Sequence, residues 1–133
     1  MAASSIQPFQ VYSSVTIAVG ESYHINDIEV PDGKTVVIEY VSGYGEIPVG
    51  QRLTNVSVYT WQSPQRGQAY QLPHFFIPTF TGNYGGTVDN YVVSAHTRLY
   101  HSTESIRVQA NRNGTHGKAS FNFALSGYLM DMS

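Results

Sequence analysis

The 133-residue chain contains no cysteine. Disulfide cross-links, thiol catalysis and zinc sites with cysteine ligands are therefore excluded. Charged residues are also scarce, at 12% of the chain, which is about half of the usual share. The seven Lys and Arg residues are scattered and the formal net charge is −2. The sequence thus lacks the basic patch that a nucleic-acid-binding protein uses to contact phosphates.

Long apolar stretches are missing as well. No segment approaches the roughly 20 consecutive apolar residues of a transmembrane helix, so we expect no membrane insertion. The first residues lack the basic and apolar regions of a signal peptide. The sequence leaves the localisation open, because the chain is cytoplasmic if it starts here and extracellular if it is a mature form.

What the sequence does contain is the alternation typical of β-strands, and it is clearest near the C-terminus. Phe121, Phe123 and Leu125 alternate with the polar or small residues Ser120 and Asn122. This period of two places one row of side chains in a core and the other row on a second face. Similar runs separated by turn sequences predict eight strands, at about 9–19, 22–30, 34–42, 52–61, 69–80, 87–100, 104–110 and 118–130.

Local signals predict how some of these strands are placed. Residues 34–42 are apolar on both faces, which indicates a central strand, and the glycine-rich segment 43–50 after them reads as a loop. Pro73 and Pro78 interrupt the run 69–80 and favour an edge position.

Turn signals complete this picture. Asn113-Gly114 predicts a tight hairpin turn between the last two strands, and residues 63–67 predict another turn. A slip in the alternation near Asn26 and Asp27 suggests a bulge. The prediction is an all-β fold: an antiparallel β-sandwich of about eight strands, jelly-roll-like, forming a single domain over residues 1–133.

No catalytic motif stands out. The five histidines lack the His-x-His spacing of a cupin metal site, so we predict no metal and no cofactor. Asp27 and Glu29 share a strand face at a spacing that glycoside hydrolysis could use, although exposed acidic strand residues are more often solvated. Glu39 lies within an apolar strand, where we expect an ion pair with Arg98 or Arg107.

Aromatic and planar polar residues offer a different chemistry. Trp61 ends the fourth predicted strand, Asn83 and Tyr84 lie in a glycine-rich segment, and Asp89 and Asn90 follow. Sugar recognition pairs aromatic rings with the apolar face of the sugar, and planar Asn or Asp groups with its hydroxyls. We predict a ligand site in which Trp61 and Tyr84 stack while Asn83, Asp89 and Asn90 form hydrogen bonds.

Three segments carry a family resemblance: VPDGKTVVIEYVSG at 30–43, RLY at 98–100 and LSGYLMD at 125–131. They resemble a group of small bacterial β-sandwich proteins, generally of unknown function and often exported. The resemblance implies a sandwich and an extracellular role, and it transfers no catalytic or binding residue. We expect this chain to depart from the exported members in lacking a leader, because its first residues do not have the pattern of one.

Three functions follow from these observations, in order of preference. The first is a non-enzymatic binding module for carbohydrate. The second is a structural or assembly subunit that forms homo-oligomers through polar, tyrosine-rich sheet faces. The third is a metal-dependent jelly-roll enzyme, for which the sequence offers no positive feature.

Overall fold

The computed structural model describes residues 6–62, 69–102 and 105–131. Within these residues the chain forms antiparallel strands and no helix, so no helix there could span a membrane. The strands are β1 (Gln7–Ile17), β2 (Tyr23–Ile28), β3 (Lys34–Pro48), β4 (Leu53–Gln62), β5 (Tyr70–Phe76), β6 (Thr79–Tyr84), β7 (Val88–His101), β8 (Ile106–Arg112) and β9 (Ala119–Asp131).

Two sheets pack face to face. The five-stranded sheet has the order β1-β9-β3-β7-β6, and the four-stranded sheet has the order β2-β8-β4-β5. Strand β1 pairs with β9, β2 with β8, β3 with β7 and β4 with β5. This nested pairing of the first half of the chain with the second is that of a jelly roll. The predicted all-β sandwich is confirmed, and β3 is the central strand of the larger sheet.

The described residues form nine strands in place of the predicted eight because the run 69–80 is divided. Strand β5 pairs with β4 in the smaller sheet, whereas β6 pairs with β7 in the larger one. Pro78 lies in the break and lacks the N–H that a continuous ladder would need. Both strands are edge strands, as the two prolines predict.

The predicted hairpin at Asn113-Gly114 is wrong, because β8 and β9 belong to different sheets. The connection between them crosses the sandwich instead. Asn113 Oδ1 accepts a hydrogen bond from the Arg52 N–H at 2.7 Å. A Cβ at Gly114 would lie 2.8 Å from the Gln51 side chain. Asn113 and Gly114 therefore pack closely against Gln51 and Arg52 in the connection between β3 and β4.

The predicted loop at 43–50 is also wrong over most of its length, because β3 continues to Pro48. Its glycines make room for the core and do not form a turn. A Cβ at Gly43 would lie 2.3 Å from the Phe121 ring, and one at Gly45 would lie 2.7 Å from it. The Phe121 ring is fully buried and packs edge-on against the Phe123 ring, with the two ring centroids 4.8 Å apart. Glycine in β3 therefore lets a large aromatic residue fill the centre of the sandwich.

A β-bulge in β3 replaces the one predicted near Asn26 and Asp27, where the register of β2 with β8 is continuous. The register of β3 with both neighbours shifts between Ile38 and Tyr40. Glu39 is the extra residue and is exposed, so its predicted ion pair inside the apolar strand is wrong. The bulge changes which residues of β3 face the core, and it turns Tyr40 to the outer side. The turn predicted at 63–67 lies outside the described residues.

Candidate functional site

The outer face of the five-stranded sheet is rich in tyrosine. Val41 and Ile47 of β3 point into the core, so the residues between them, Ser42, Tyr44 and Glu46, point outward. The strand register places further tyrosines from four other strands on the same side. We call this surface the tyrosine face; its tyrosines are Tyr12, Tyr40, Tyr44, Tyr84, Tyr100 and Tyr128.

A groove of about 410 Å³ crosses one part of the tyrosine face. Its floor is the small Ala124 and Ser126 of β9, and Tyr12 of β1 and Tyr40 of β3 flank it. The hydroxyl groups of Tyr40 and Ser94 share a hydrogen bond, which fixes the tyrosine ring. The groove therefore combines two aromatic walls with a floor of small, uncharged groups.

A hydrogen-bonded cluster lies further along β3. The Tyr44 hydroxyl is 2.5 Å from Asn90 Oδ1 and 3.1 Å from Glu46 Oε1, so its single proton can be donated to either oxygen. Partial burial raises the pKa of Tyr44, and Glu46 and Tyr84 raise it further. The Tyr44 hydroxyl therefore keeps its proton at neutral pH and remains a donor. Tyr84 is 71% exposed at the edge of this cluster.

Asn90 is the unusual member of this cluster. Its side chain is on the outer face but is only 2% exposed, and its Nδ2 group has no hydrogen-bond acceptor among the described residues. Its Oδ1 is occupied by Tyr44, and its backbone carbonyl accepts from Thr81 Oγ1 at 3.2 Å. An unpaired buried amide donor costs roughly 1–3 kcal/mol. A buried donor of this kind needs a partner, which an ordered water or another bound molecule can supply.

The structure brings together only part of the predicted sugar site. Tyr84 and Asn90 share the tyrosine face. Asn83 and Asp89 pair with each other on the opposite side of the β6–β7 hairpin, where Asn83 Nδ2 donates to Asp89 at 2.8 Å. Asn83 Oδ1 also accepts the Gly86 N–H at 2.9 Å. These two side chains thus hold the turn that follows β6.

Trp61 lies at the other end of β7. Its backbone N–H donates to His101 Nδ1 at 2.9 Å, and His101 is the last residue of that strand. Asn90 is eleven residues earlier, which corresponds to roughly 35 Å along a strand. Trp61 and the Tyr44–Asn90 cluster therefore cannot contact one small ligand together.

Three residues of the tyrosine face, Tyr40, Tyr44 and Glu46, were not among the predicted site residues. Tyr44 and Glu46 fall in the segment interpreted as a loop, and Tyr40 follows a bulge that the alternation does not reveal. The pattern that could have found them is the i, i+2 spacing of Tyr40, Ser42, Tyr44 and Glu46, read as one strand face.

The described residues offer neither a group of metal ligands nor a free pair of carboxylates at Asp27 and Glu29. Among residues 6–62, 69–102 and 105–131, no three His, Asp or Glu side chains are grouped as metal ligands. Asp27 accepts a hydrogen bond from Arg107 Nε at 3.0 Å, so it forms an ion pair between β2 and β8. Glu29 follows the end of β2 and is exposed.

No protein-family model matches this chain, and no curated protein matches it. The resemblance to small bacterial sandwich proteins therefore stays a prediction. Its motif residues nevertheless have a shared structural role. Glu39 is the bulge residue of β3, Gly127 lies beside that bulge, and Gly43 contacts Phe121. The two main segments of the motif are thus the two sides of one strand pairing, β3 with β9.

Proposed function

We propose that this protein is a non-enzymatic carbohydrate-binding module and that the tyrosine face binds the glycan. The observation that carries the proposal is the unpaired Nδ2 group of Asn90, buried on the outer face beside Tyr44 and Tyr84. A sugar hydroxyl can accept the hydrogen bond for which this Nδ2 group has no acceptor among the described residues.

Each member of the cluster has a role in this proposal. The exposed ring of Tyr84 stacks on the apolar face of a sugar. Glu46 accepts hydrogen bonds from sugar hydroxyls, and the Tyr44 oxygen accepts one as well, because its only proton is donated within the cluster. Asn90 Nδ2 lies beneath the surface, so a ligand reaches it only after a neighbouring side chain rotates, and Tyr84 has room to do so.

The groove suggests that the ligand is longer than one sugar unit. Tyr40 and Tyr44 are on the same strand, about 13 Å apart at ordinary strand rise. The groove at Tyr12 and Tyr40 therefore continues the surface that begins at Tyr44 and Tyr84. Tyrosines spaced along one face suit a neutral oligosaccharide, which offers an apolar ring face at each unit.

A glycan array tests the proposal when wild type is compared with Tyr84→Ala. We expect wild type to bind a group of neutral oligosaccharides, and the variant to lose at least tenfold in affinity, which corresponds to about 1.4 kcal/mol. Tyr84 is largely exposed, so the variant should fold normally.

Tyr23→Ala is the matched control. Tyr23 is also an exposed strand tyrosine, but it belongs to β2 of the other sheet. We expect its affinity to match that of wild type. An array without any binding would contradict the proposed function, and equal losses in the two variants would contradict the proposed site.

A further inference from the structure

A second surface of the molecule is apolar and lies apart from the tyrosine face. Strands β5 and β6 are the edge strands of the two sheets on the same side of the sandwich, joined by a two-residue connection. Large apolar side chains are exposed along this stretch, with Ile77 at 88%, Phe75 at 64% and Phe80 at 54%. We call this surface the apolar edge; its residues are Tyr70, Leu72, Phe75, Ile77 and Phe80.

The apolar edge differs from the other exposed apolar residues of the protein. Val19 and Val49 are exposed singly, in connections between strands, which is normal for a soluble protein. The five residues of the apolar edge occur within eleven consecutive positions, 70–80. Tyr70 and Leu72 lie on the inner side of β5, Phe80 lies on the inner side of β6, and Phe75 lies on the outer side of β5, so the exposed apolar groups surround this edge. Clustered exposure of this kind marks an interaction surface.

We propose that the apolar edge is the contact between two copies of this chain in a two-fold symmetric dimer. The absence of charged residues from this stretch supports the proposal. No Asp, Glu, Lys or Arg occurs from residue 67 to residue 88. A charged partner would find nothing to pair with here, and an anionic lipid surface is normally contacted by Lys or Arg beside the apolar residues. Two neutral, identical surfaces meet without repulsion.

The area of the apolar edge also suits a dimer. With about 200 Å² for each large side chain, the exposed fractions of these five residues correspond to at most roughly 600 Å². A symmetric dimer would bury about twice that area, which falls near the lower limit of specific protein interfaces. The expected dimer is therefore reversible.

The backbone limits how the two copies can meet. An edge strand often recruits a partner by extending its sheet, and this requires a row of free N–H groups. Pro73 within β5 and Pro78 just before β6 have no N–H. We therefore expect side-chain packing across the two-fold axis rather than a sheet that continues from one copy into the other.

Dimerisation through this edge leaves the outer faces of β3 and β9 uncovered, and Tyr84 is at the opposite end of β6 from Ile77 and Phe80. If the proposed function holds, two linked faces raise the apparent affinity for a surface that carries many glycans. The dimer itself does not depend on glycan binding, so the two proposals can fail separately.

Sedimentation velocity over a concentration series, from low micromolar to near millimolar, tests the dimer. We expect wild type to shift from monomer to dimer as concentration rises, and Ile77→Asp to remain monomeric throughout. Ile77 is almost fully exposed, so this variant keeps the fold, which circular dichroism would check. Val19→Asp is the matched control and should dimerise as wild type does.

Either of two results would overturn the dimer proposal. One is a wild-type monomer at every concentration; co-sedimentation of that monomer with phosphatidylcholine vesicles would assign the apolar edge to a membrane surface instead. The other is an Ile77→Asp variant that dimerises as strongly as wild type, which would place the contact elsewhere.

Discussion

Replacing Gly127 with alanine is expected to lower the free energy of unfolding by more than about 4 kcal/mol, or to prevent folding altogether. A Cβ at this position would lie 1.8 Å from the carbonyl oxygen of Val37, far inside van der Waals contact. The obstacle is backbone, so no side-chain rotation can relieve it. Strand β3 would have to move away from β9 at the bulge, where the two strands pair in the middle of the sheet.

Denaturation in urea, followed by circular dichroism, measures this effect. Ser126→Ala is the control, because Ser126 is the neighbouring residue of β9 and its side chain points outward, away from the bulge. We expect the control to change the free energy of unfolding by less than about 1 kcal/mol. A Gly127→Ala protein as stable as the control would mean that the close approach of β3 to Gly127 is not present in solution.

Replacing Arg112 with methionine is expected to cost about 3–5 kcal/mol of folding free energy, since each buried carbonyl left without a donor costs roughly 1–3 kcal/mol. Arg112 is only 3% exposed, and its guanidinium donates to four backbone carbonyl oxygens at 2.8–3.0 Å. Two of these carbonyls lie between β1 and β2 and two lie between β8 and β9; they belong to Ala18, Glu21, His116 and Gly117.

The physical reason for this cost is the loss of donors and not the loss of a charge pair. Methionine has a similar length but donates no hydrogen bond, so the carbonyls of two connections would lose their partner. Burial lowers the pKa of Arg112 while Glu21 raises it, and the group stays charged at physiological pH. The four hydrogen bonds of the buried guanidinium join two loops at one end of the sandwich.

Arg107→Met is the control for this change. Arg107 forms an exposed ion pair with Asp27, and such pairs contribute about 0–1 kcal/mol. We expect the two variants to differ by at least about 2 kcal/mol in urea denaturation. Equal stability of the two variants would show that the four carbonyls find other partners when Arg112 is lost.

The sequence allowed the fold class to be predicted because alternation is a local property. Phe121, Phe123 and Leu125 face the core as their spacing predicts, and β3 is central as its apolar character predicts. The partners of each strand are a non-local property. The Asn113-Gly114 pair has the composition of a hairpin turn, yet its strands belong to different sheets because each pairs better with strands from the first half of the chain.

The candidate site was harder to predict for a related reason. Glu39 forms a bulge, and a single extra residue reverses which side chains of β3 face outward beyond it. The residues of the cluster on that strand, Tyr44 and Glu46, could therefore not be assigned to a face from the sequence. Their neighbours Gly43 and Gly45 suggested a turn, whereas their role is to accommodate Phe121.

Amide chemical shifts can map the bound glycan on the protein, using the neutral oligosaccharide that binds best on the array. If the tyrosine face binds the glycan, the largest shift changes occur at residues 40–46 of β3 and around Tyr84 and Asn90. Changes confined to the four-stranded sheet, or to the surroundings of Trp61 and His101, would contradict binding by the tyrosine face.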